Sequence, residues 1–249
     1  MSVPNVLYVP GYLDSPFSAK TQSVVEAYFK TGGVNVFVLD WAALASGSYP
    51  AAVANAYEAG TKVGNTYLYL FSQGVPVSTI IVVGHGLGAH LLGQAGRTVI
   101  TNSNGKYQIP RITGLDPARA LFYPYPLVPG FRHINRNDAT YVDIIHTDGG
   151  EYGTSRLTGT ADFYVNTGRR FQPGCPFGVF LIGSENDMCS HRRAIDLWVE
   201  SVSTPSSTFT ATMFGNPAVT SRMGISSPST TIPGKYTVLT NAASPYSRG

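Results

Sequence analysis

The twelve residues Thr79-Ile80-Ile81-Val82-Val83-Gly84-His85-Gly86-Leu87-Gly88-Ala89-His90 constrain this chain more than any other stretch. Thr79 to Val83, with four β-branched aliphatic residues in five, reads as a strand buried on both faces, the habit of a parallel sheet. Glycines at 84, 86 and 88 then permit a turn too tight for side chains, and Leu87 to about Val99 suits a helix packed on the sheet. Strand, sharp turn, helix is the setting of the nucleophile elbow, whose pattern is G-x-S-x-G. Here the pattern is Gly84-His85-Gly86-Leu87-Gly88, so glycine stands where the hydroxyl belongs.

The flanking sequence alternates strands and helices. Asn5 to Val9 reads as a buried strand, Asp14 to Gly32 as a helix, and Val34 to Leu39 as the next strand. Tyr49 to Phe71 reads as one helix interrupted near Gly60 or Gly64. Thr101 to Gln108 is a polar loop, and Ile109 to Leu115 is a strand broken by Pro110. Leu121 to Gly130 is irregular, with proline at 124, 126 and 129. Strands are expected at Thr140 to His146 and Ala161 to Asn166, and an amphipathic helix at Ser190 to Val202 with Ser190 as its N-cap. Short strands close the chain at Thr208 to Thr212 and Tyr236 to Leu239. This order implies an α/β fold with a mostly parallel sheet and right-handed crossovers.

Length and composition agree. The 249 residues, 43% of them hydrophobic, suit one domain over 1–249 with an ample core. Charged residues are 12%, about half the usual share. The net charge of +3 comes from scattered Lys and Arg, so no nucleic-acid partner is expected. No apolar run reaches transmembrane length. Met1 to Pro4 does not read as a signal peptide, which leaves a mature chain freed of its leader or a cytosolic protein.

From the elbow onward, further segments repeat a known order of motifs. They are Thr113-Gly114-Leu115-Asp116-Pro117-Ala118, Asp138-Ala139-Thr140-Tyr141-Val142-Asp143-Ile144-Ile145-His146-Thr147-Asp148, Ala161-Asp162-Phe163-Tyr164, Gln172-Pro173-Gly174-Cys175 and Cys189-Ser190-His191-Arg192-Arg193-Ala194. With the elbow they resemble the pancreatic-lipase family of α/β-hydrolases, particularly its small insect members. The resemblance implies the α/β-hydrolase fold, with Asp116 as the acid of the triad and His191 as the base. The carboxylate holds the imidazole tautomer and the imidazole takes the proton of the attacking group. With Gly86 in the nucleophile position there is no such proton and no atom to acylate. The oxyanion hole would use the backbone amides of Leu87 and of the Gly11-Tyr12 loop. The Tyr12 side chain would line the pocket mouth, and Pro10-Gly11-Tyr12 replaces the family's usual His-Gly-Phe. His85, His90, His133 and His146 read as structural.

The resemblance also implies a lid between Cys175 and Cys189, closed by a disulfide and carrying Phe177, Val179, Phe180, Leu181 and Ile182 over an apolar pocket. Both this lid (175–189) and the facing loop 151–160 are short, as in phospholipase-A1-like members, and no C-terminal β-sandwich domain is expected. A disulfide favours secretion over the cytosol. Calcium-binding members use Arg, Asp and Asp where this chain has His133, Asn135 and Asp138. No metal is therefore expected, and no cofactor. Thr160 replaces a common His.

The first functional reading is a secreted lipase-like protein without catalysis, binding an apolar small molecule or lipid or serving for storage, as the fly yolk proteins that share the missing serine do. The second is a carboxylic-ester hydrolase, lipase or phospholipase A1, in which Gly86 has replaced Ser. A third, a dinucleotide enzyme, follows from Gly84-x-Gly86-x-x-Ala89. It lacks the acidic ribose partner, since Asn102-Ser103-Asn104-Gly105 stands there. The ligand and the oligomeric state are left open by the sequence.

Overall fold

The computed structural model describes residues 3–124, 126–204 and 209–249. Nine strands form one sheet: β1 Asn5–Val9, β2 Asn35–Val38, β3 Ile80–His85, β4 Arg111–Leu115, β5 Tyr141–His146, β6 Ala161–Val165, β7 Phe209–Met213, β8 Asn216–Met223 and β9 Gly234–Val238. Their order is β2-β1-β3-β4-β5-β6-β9-β7-β8. The first seven in that order are parallel, and the β7–β8 hairpin adds antiparallel strands at one edge. The expected α/β architecture with a mostly parallel sheet is therefore what forms.

Helices cover both faces, as a parallel sheet requires. On one side α2 (Tyr49–Ser72) and α3 (Leu87–Asn102) bury Val53, Ala56, Leu91, Leu92 and Val99 against Val82, Ile112 and Ile144. On the other, α1 (Ala19–Thr31) and α4 (Glu185–Ser203) bury Val24, Tyr28, Ile195 and Trp198 against Val6, Val83 and Phe163. Strand β3 is covered on both faces, which is why Ile80, Val82 and Val83 are all buried apolar residues.

Four boundaries depart from the sequence expectation for physical reasons. Helix α1 starts at Ala19, because Ser18 caps it by accepting from the Thr21 amide (3.3 Å) and Pro16 precedes it. Helix α4 starts at Glu185 with Ser184 as N-cap. Ser190 lies inside the helix, where its hydroxyl accepts from the Gln172 amide at 3.0 Å. Strand β8 was not foreseen, because its exposed, polar-rich sequence carries no apolar alternation. The expected start at Thr208 lies outside the described residues, and β7 is described from Phe209.

The fourth departure is informative. Helix α2 is not interrupted but runs unbroken through Gly60 and Gly64. A Cβ on Gly60 would stand 2.5 Å from the Leu91 carbonyl of α3, and one on Gly64 would stand 2.6 Å from that of Ala95. The two glycines let α2 lie backbone-close against α3, the helix that leaves the elbow. Gly→Ala in an exposed helix stabilises by about 1 kcal/mol. Here Gly60→Ala and Gly64→Ala are expected to destabilise by about 1–3 kcal/mol, the range for overpacking. Urea-unfolding midpoints of the two variants will check the sign.

Candidate active site

The elbow is shaped by backbone contacts that only glycine allows. A Cβ on Gly84 would meet the Gly88 carbonyl at 2.5 Å, and one on Gly88 would meet the Val9 carbonyl at 2.4 Å. The start of α3 is thereby pressed onto the end of β1. Between them Gly86 takes φ 54° and ψ −115° as the N-cap of α3, a left-handed turn that its amide fixes by donating to the Leu115 carbonyl (3.0 Å). The side-chain direction at Gly86 faces His191: a Cβ built there lies 3.0 Å from Nε2.

Asp116 follows β4, the neighbour of β3, and itself adopts φ 43°. Its carboxylate is fully buried. Oδ1 accepts from the amides of Thr147 (2.8 Å) and Asp148 (3.0 Å), and Oδ2 accepts from His191 Nδ1 (2.6 Å). Since Asp116 needs a donor at Nδ1, the His191 lone pair lies on Nε2, directed at Gly86. An imidazole so held can accept a proton at Nε2, the chemistry of a general base. The structure thus brings Gly86, Asp116 and His191 together from three distant segments.

Leu87 is the first residue of α3, where helical amides have no partner inside the helix. The Pro10-Gly11-Tyr12 loop lies against the first turn of α3 and the end of β3: a Cβ on Gly88 would lie 2.7 Å from the Pro10 carbonyl, and one on Gly11 3.1 Å from His85 Nδ1. The Tyr12 ring turns away to pack edge-on against Tyr49 (5.0 Å), and its hydroxyl donates to the Gly47 carbonyl. Its side chain is engaged at the start of α2.

Several neighbours make contacts here that the sequence does not record. His85 lays its ring 4.3 Å from that of His191, with Nε2 3.2 Å from the His191 carbonyl, and burial holds its pKa well below 6.5. Gly153 is indispensable by sterics, since a Cβ there would meet the Asp116 carboxylate at 2.3–2.5 Å. Arg170 places its fork on Asp148 (2.7 and 2.6 Å) and reaches Asp187 of α4 (2.9 Å). Burial raises the pKa of Asp148, and the guanidinium opposes that rise. Asp116, Asp148 and His191 have ligand atoms within 4.8 Å of one another. Both carboxylates already have their oxygens engaged by Arg170, His191 and backbone amides.

The loop that resembled a calcium site is organised differently. Asp138 Oδ2 accepts from Arg97 Nη1 and from the Asn135 amide, both at 2.8 Å, while Arg97 Nη2 donates to the Arg132 carbonyl (2.9 Å). His133 stacks on Tyr123 and donates from Nδ1 to the Ile134 carbonyl (2.8 Å). Thr160 accepts from the Val142 amide (3.3 Å).

The lid departs from its expected pose. Cys175 and Cys189 are joined, but Phe177, Val179, Leu181 and Ile182 are 82–101% exposed and only Phe180 is half-buried. They do not cover a pocket. From loop 151–160 the Tyr152 hydroxyl meets this segment, accepting from the Gly183 amide (3.1 Å) and bonding to Asp187, and α4 absorbs 185–189, leaving little chain to fold inward. Two surface grooves of about 380 and 580 Å³ lie elsewhere, without Gly86, Asp116 or His191 in their walls.

A family model described as Lipase matches residues 1–215. The chain belongs to the lipase family. It is 35% identical to phospholipase A1 of Vespa crabro over 209 residues, covering 80% of this chain and 65% of that protein. It is 30% identical to the pancreatic triacylglycerol lipase of Cavia porcellus over 214 residues, covering 79% and 44%. The chain therefore spans less than two thirds of the length of these relatives. Among solved structures, the monoclinic form of Pyrobaculum calidifontis esterase matches with a TM-score of 0.39 at 18% identity, covering 57% of each chain.

Two predictions concern this lipase-family site. His90 is fully buried, with Nε2 donating to the Ala118 carbonyl (2.7 Å) and Nδ1 accepting from the Ile134 amide (3.0 Å). Burial lowers its pKa from 6.5 to about 3. Below pH 6.5 the unfolded chain takes up a proton that the folded chain refuses. The His90 contribution is thus complete above pH 6.5 and shrinks as pH falls toward 3, by about 1.4 kcal/mol per pH unit. His90→Gln is expected to flatten the pH slope of stability by about that amount, read from urea midpoints between roughly pH 6 and pH 4. Replacing Cys175 and Cys189 by Ser is expected to cost up to about 3 kcal/mol in the chain-entropy model. The same change should open residues 176–184 to limited proteolysis.

Proposed function

We propose that this chain is an extracellular lipase-family protein that binds a lipid or other apolar small molecule and forms no acyl-enzyme. The observation that carries the reading is Gly86 itself: the turn is built, the base is aimed at it, and no side-chain nucleophile stands there. Acyl-enzyme chemistry needs an atom that bonds to the carbonyl carbon, and neither His85 nor Leu87 projects from the apex of the turn. In this reading Asp116 and His191 keep a polar floor, and the amides of Leu87 and the Gly11-Tyr12 loop hold a ligand's carbonyl oxygen. Phe177, Val179, Leu181 and Ile182, turned outward, offer the apolar surface for acyl chains, each worth roughly 1.5–3 kcal/mol when fully buried. The Cys175–Cys189 disulfide supports an oxidising compartment. Carriage and storage are both served by such a site.

The Asp116–His191 hydrogen bond of 2.6 Å favours a second reading, an ester hydrolase of the lipase or phospholipase A1 kind whose nucleophile has been exchanged for glycine. Gly86→Ser separates the two. Under the first reading the native chain retains intact phospholipid in native mass spectrometry, and Gly86→Ser stays far below an ordinary lipase. Under the second, Gly86→Ser gains three or more powers of ten on short-chain esters and phospholipids, the order lost when a triad serine is removed. Hydrolysis of a fatty-acyl substrate by the native chain at ordinary lipase speed overturns the first reading.

A further inference from the structure

The general base of this site is complete and unemployed. His191 is held by Asp116 at 2.6 Å through Nδ1, Asp116 is held by two backbone amides, and the bare Nε2 faces the Cα of Gly86. His85 packs against the same imidazole and meets its backbone carbonyl, so the ring is fixed in place. Glycine leaves out one CH2–OH group beside that lone pair, and an external hydroxyl compound standing there would meet the same nitrogen. His191 Nε2 and Cε1, 3.0 and 3.5 Å from the Cβ position, bound that place on one side.

We propose that the site transfers acyl groups from esters directly to a small external hydroxyl compound, water or a short primary alcohol, seated where the side-chain hydroxyl would stand. The proposal rests on the reading above that an ester carbonyl reaches Gly86. The hydroxyl oxygen forms a bond to the carbonyl carbon as its proton passes to His191 Nε2. The carbonyl electron pair moves onto oxygen beside the Leu87 amide. Collapse of this tetrahedral species breaks the bond to the leaving alkoxide, which receives the same proton from His191. An ester and an alcohol become a new ester and a new alcohol, or an acid and an alcohol when water attacks. The imidazole ends neutral, and no bond to the protein is made.

Magnitudes place this activity between two limits. A nucleophile attached to the chain enjoys an effective concentration of about 10⁵–10⁸ M, so an external alcohol at about 1 M is slower than a serine enzyme by at least that margin. General-base assistance is worth about 10²–10⁴-fold, so the rate stands that far above a chain without its base.

The test uses the native chain with p-nitrophenyl butyrate in buffered methanol solutions and measures methyl butyrate by gas chromatography. Methyl butyrate is expected to form in proportion to methanol, without a burst of nitrophenol, and at least about 10²-fold faster than with His191→Gln or Asp116→Asn. Tert-butanol, whose hydroxyl is crowded by three methyl groups, should yield far less ester than methanol. Gly86→Ala, which sets a methyl group there, should abolish the transfer while circular dichroism reports the fold. Equal methyl butyrate rates for the native chain and His191→Gln overturn the proposal, whatever the fate of Gly86→Ala. So does tert-butanol serving as well as methanol. Gly86→Ser is the control for the underlying reading. If it forms an acyl adduct visible by mass while the native chain transfers nothing, this proposal alone falls. If neither reacts, this proposal falls, and retention of intact phospholipid in native mass spectrometry decides separately whether the binding reading stands.

Discussion

The site depends on backbone lying against backbone around the first turns of α3. Gly84 touches Gly88, and Gly88 touches the carbonyls of Val9 and Pro10. These approaches bend the chain sharply at Gly86 and draw the β1 loop up to the elbow. On the outer side Gly60 and Gly64 of α2 press on the Leu91 and Ala95 carbonyls, so α3 is held between the sheet and a second helix. Native interiors are close-packed and transmit strain, and a methyl group at any of these contacts would displace a backbone. The elbow is therefore rigid, whatever residue stands at its apex.

That rigidity explains how an acid–base pair can stay assembled with no nucleophile to serve. Asp116 is placed by its own left-handed turn, by the amides of Thr147 and Asp148 and by the closeness of Gly153. His191 is placed by α4, by Asp116 and by His85. None of these contacts runs through a side chain at position 86. Around them Arg170 joins Asp148 to Asp187, so the acid's loop and the start of α4 share one cation. A buried carboxylate beside another is costly unless charge and hydrogen bonds compensate it. Arg170 supplies the first and the backbone amides the second.

Much of this was legible in the residues. The β-branched run before the glycines announced a strand enclosed on both faces, and Asp116 and His191 stood in motif segments specific enough to name them. The disulfide between Cys175 and Cys189 also formed as the resemblance implied. The lid pose was not legible, because apolar letters between two cysteines do not say which way their side chains turn, and here the contact from 151–160 is polar, through the Tyr152 hydroxyl on Gly183 and Asp187. Nor was Arg97 legible as the cation on Asp138, since the two are brought together across 41 positions of sequence. The expected interruption near Gly60 or Gly64 does not form, because both glycines serve the close approach of α2 to α3, which helix propensity does not record.

By itself the sequence determined the covalent facts: which elements alternate, where turns must be glycine, and that no hydroxyl or thiol occupies the elbow. Only the tertiary structure decided that the His191 lone pair points at that glycine, that His85 and Arg170 belong to the same cluster, and that the lid's apolar side chains face outward. The reason is that periodicity and turn chemistry are local, acting over a few residues of chain. Direction, shielding and charge compensation arise when β3, β4, α4 and the 147–153 loop converge, and no local pattern records that convergence.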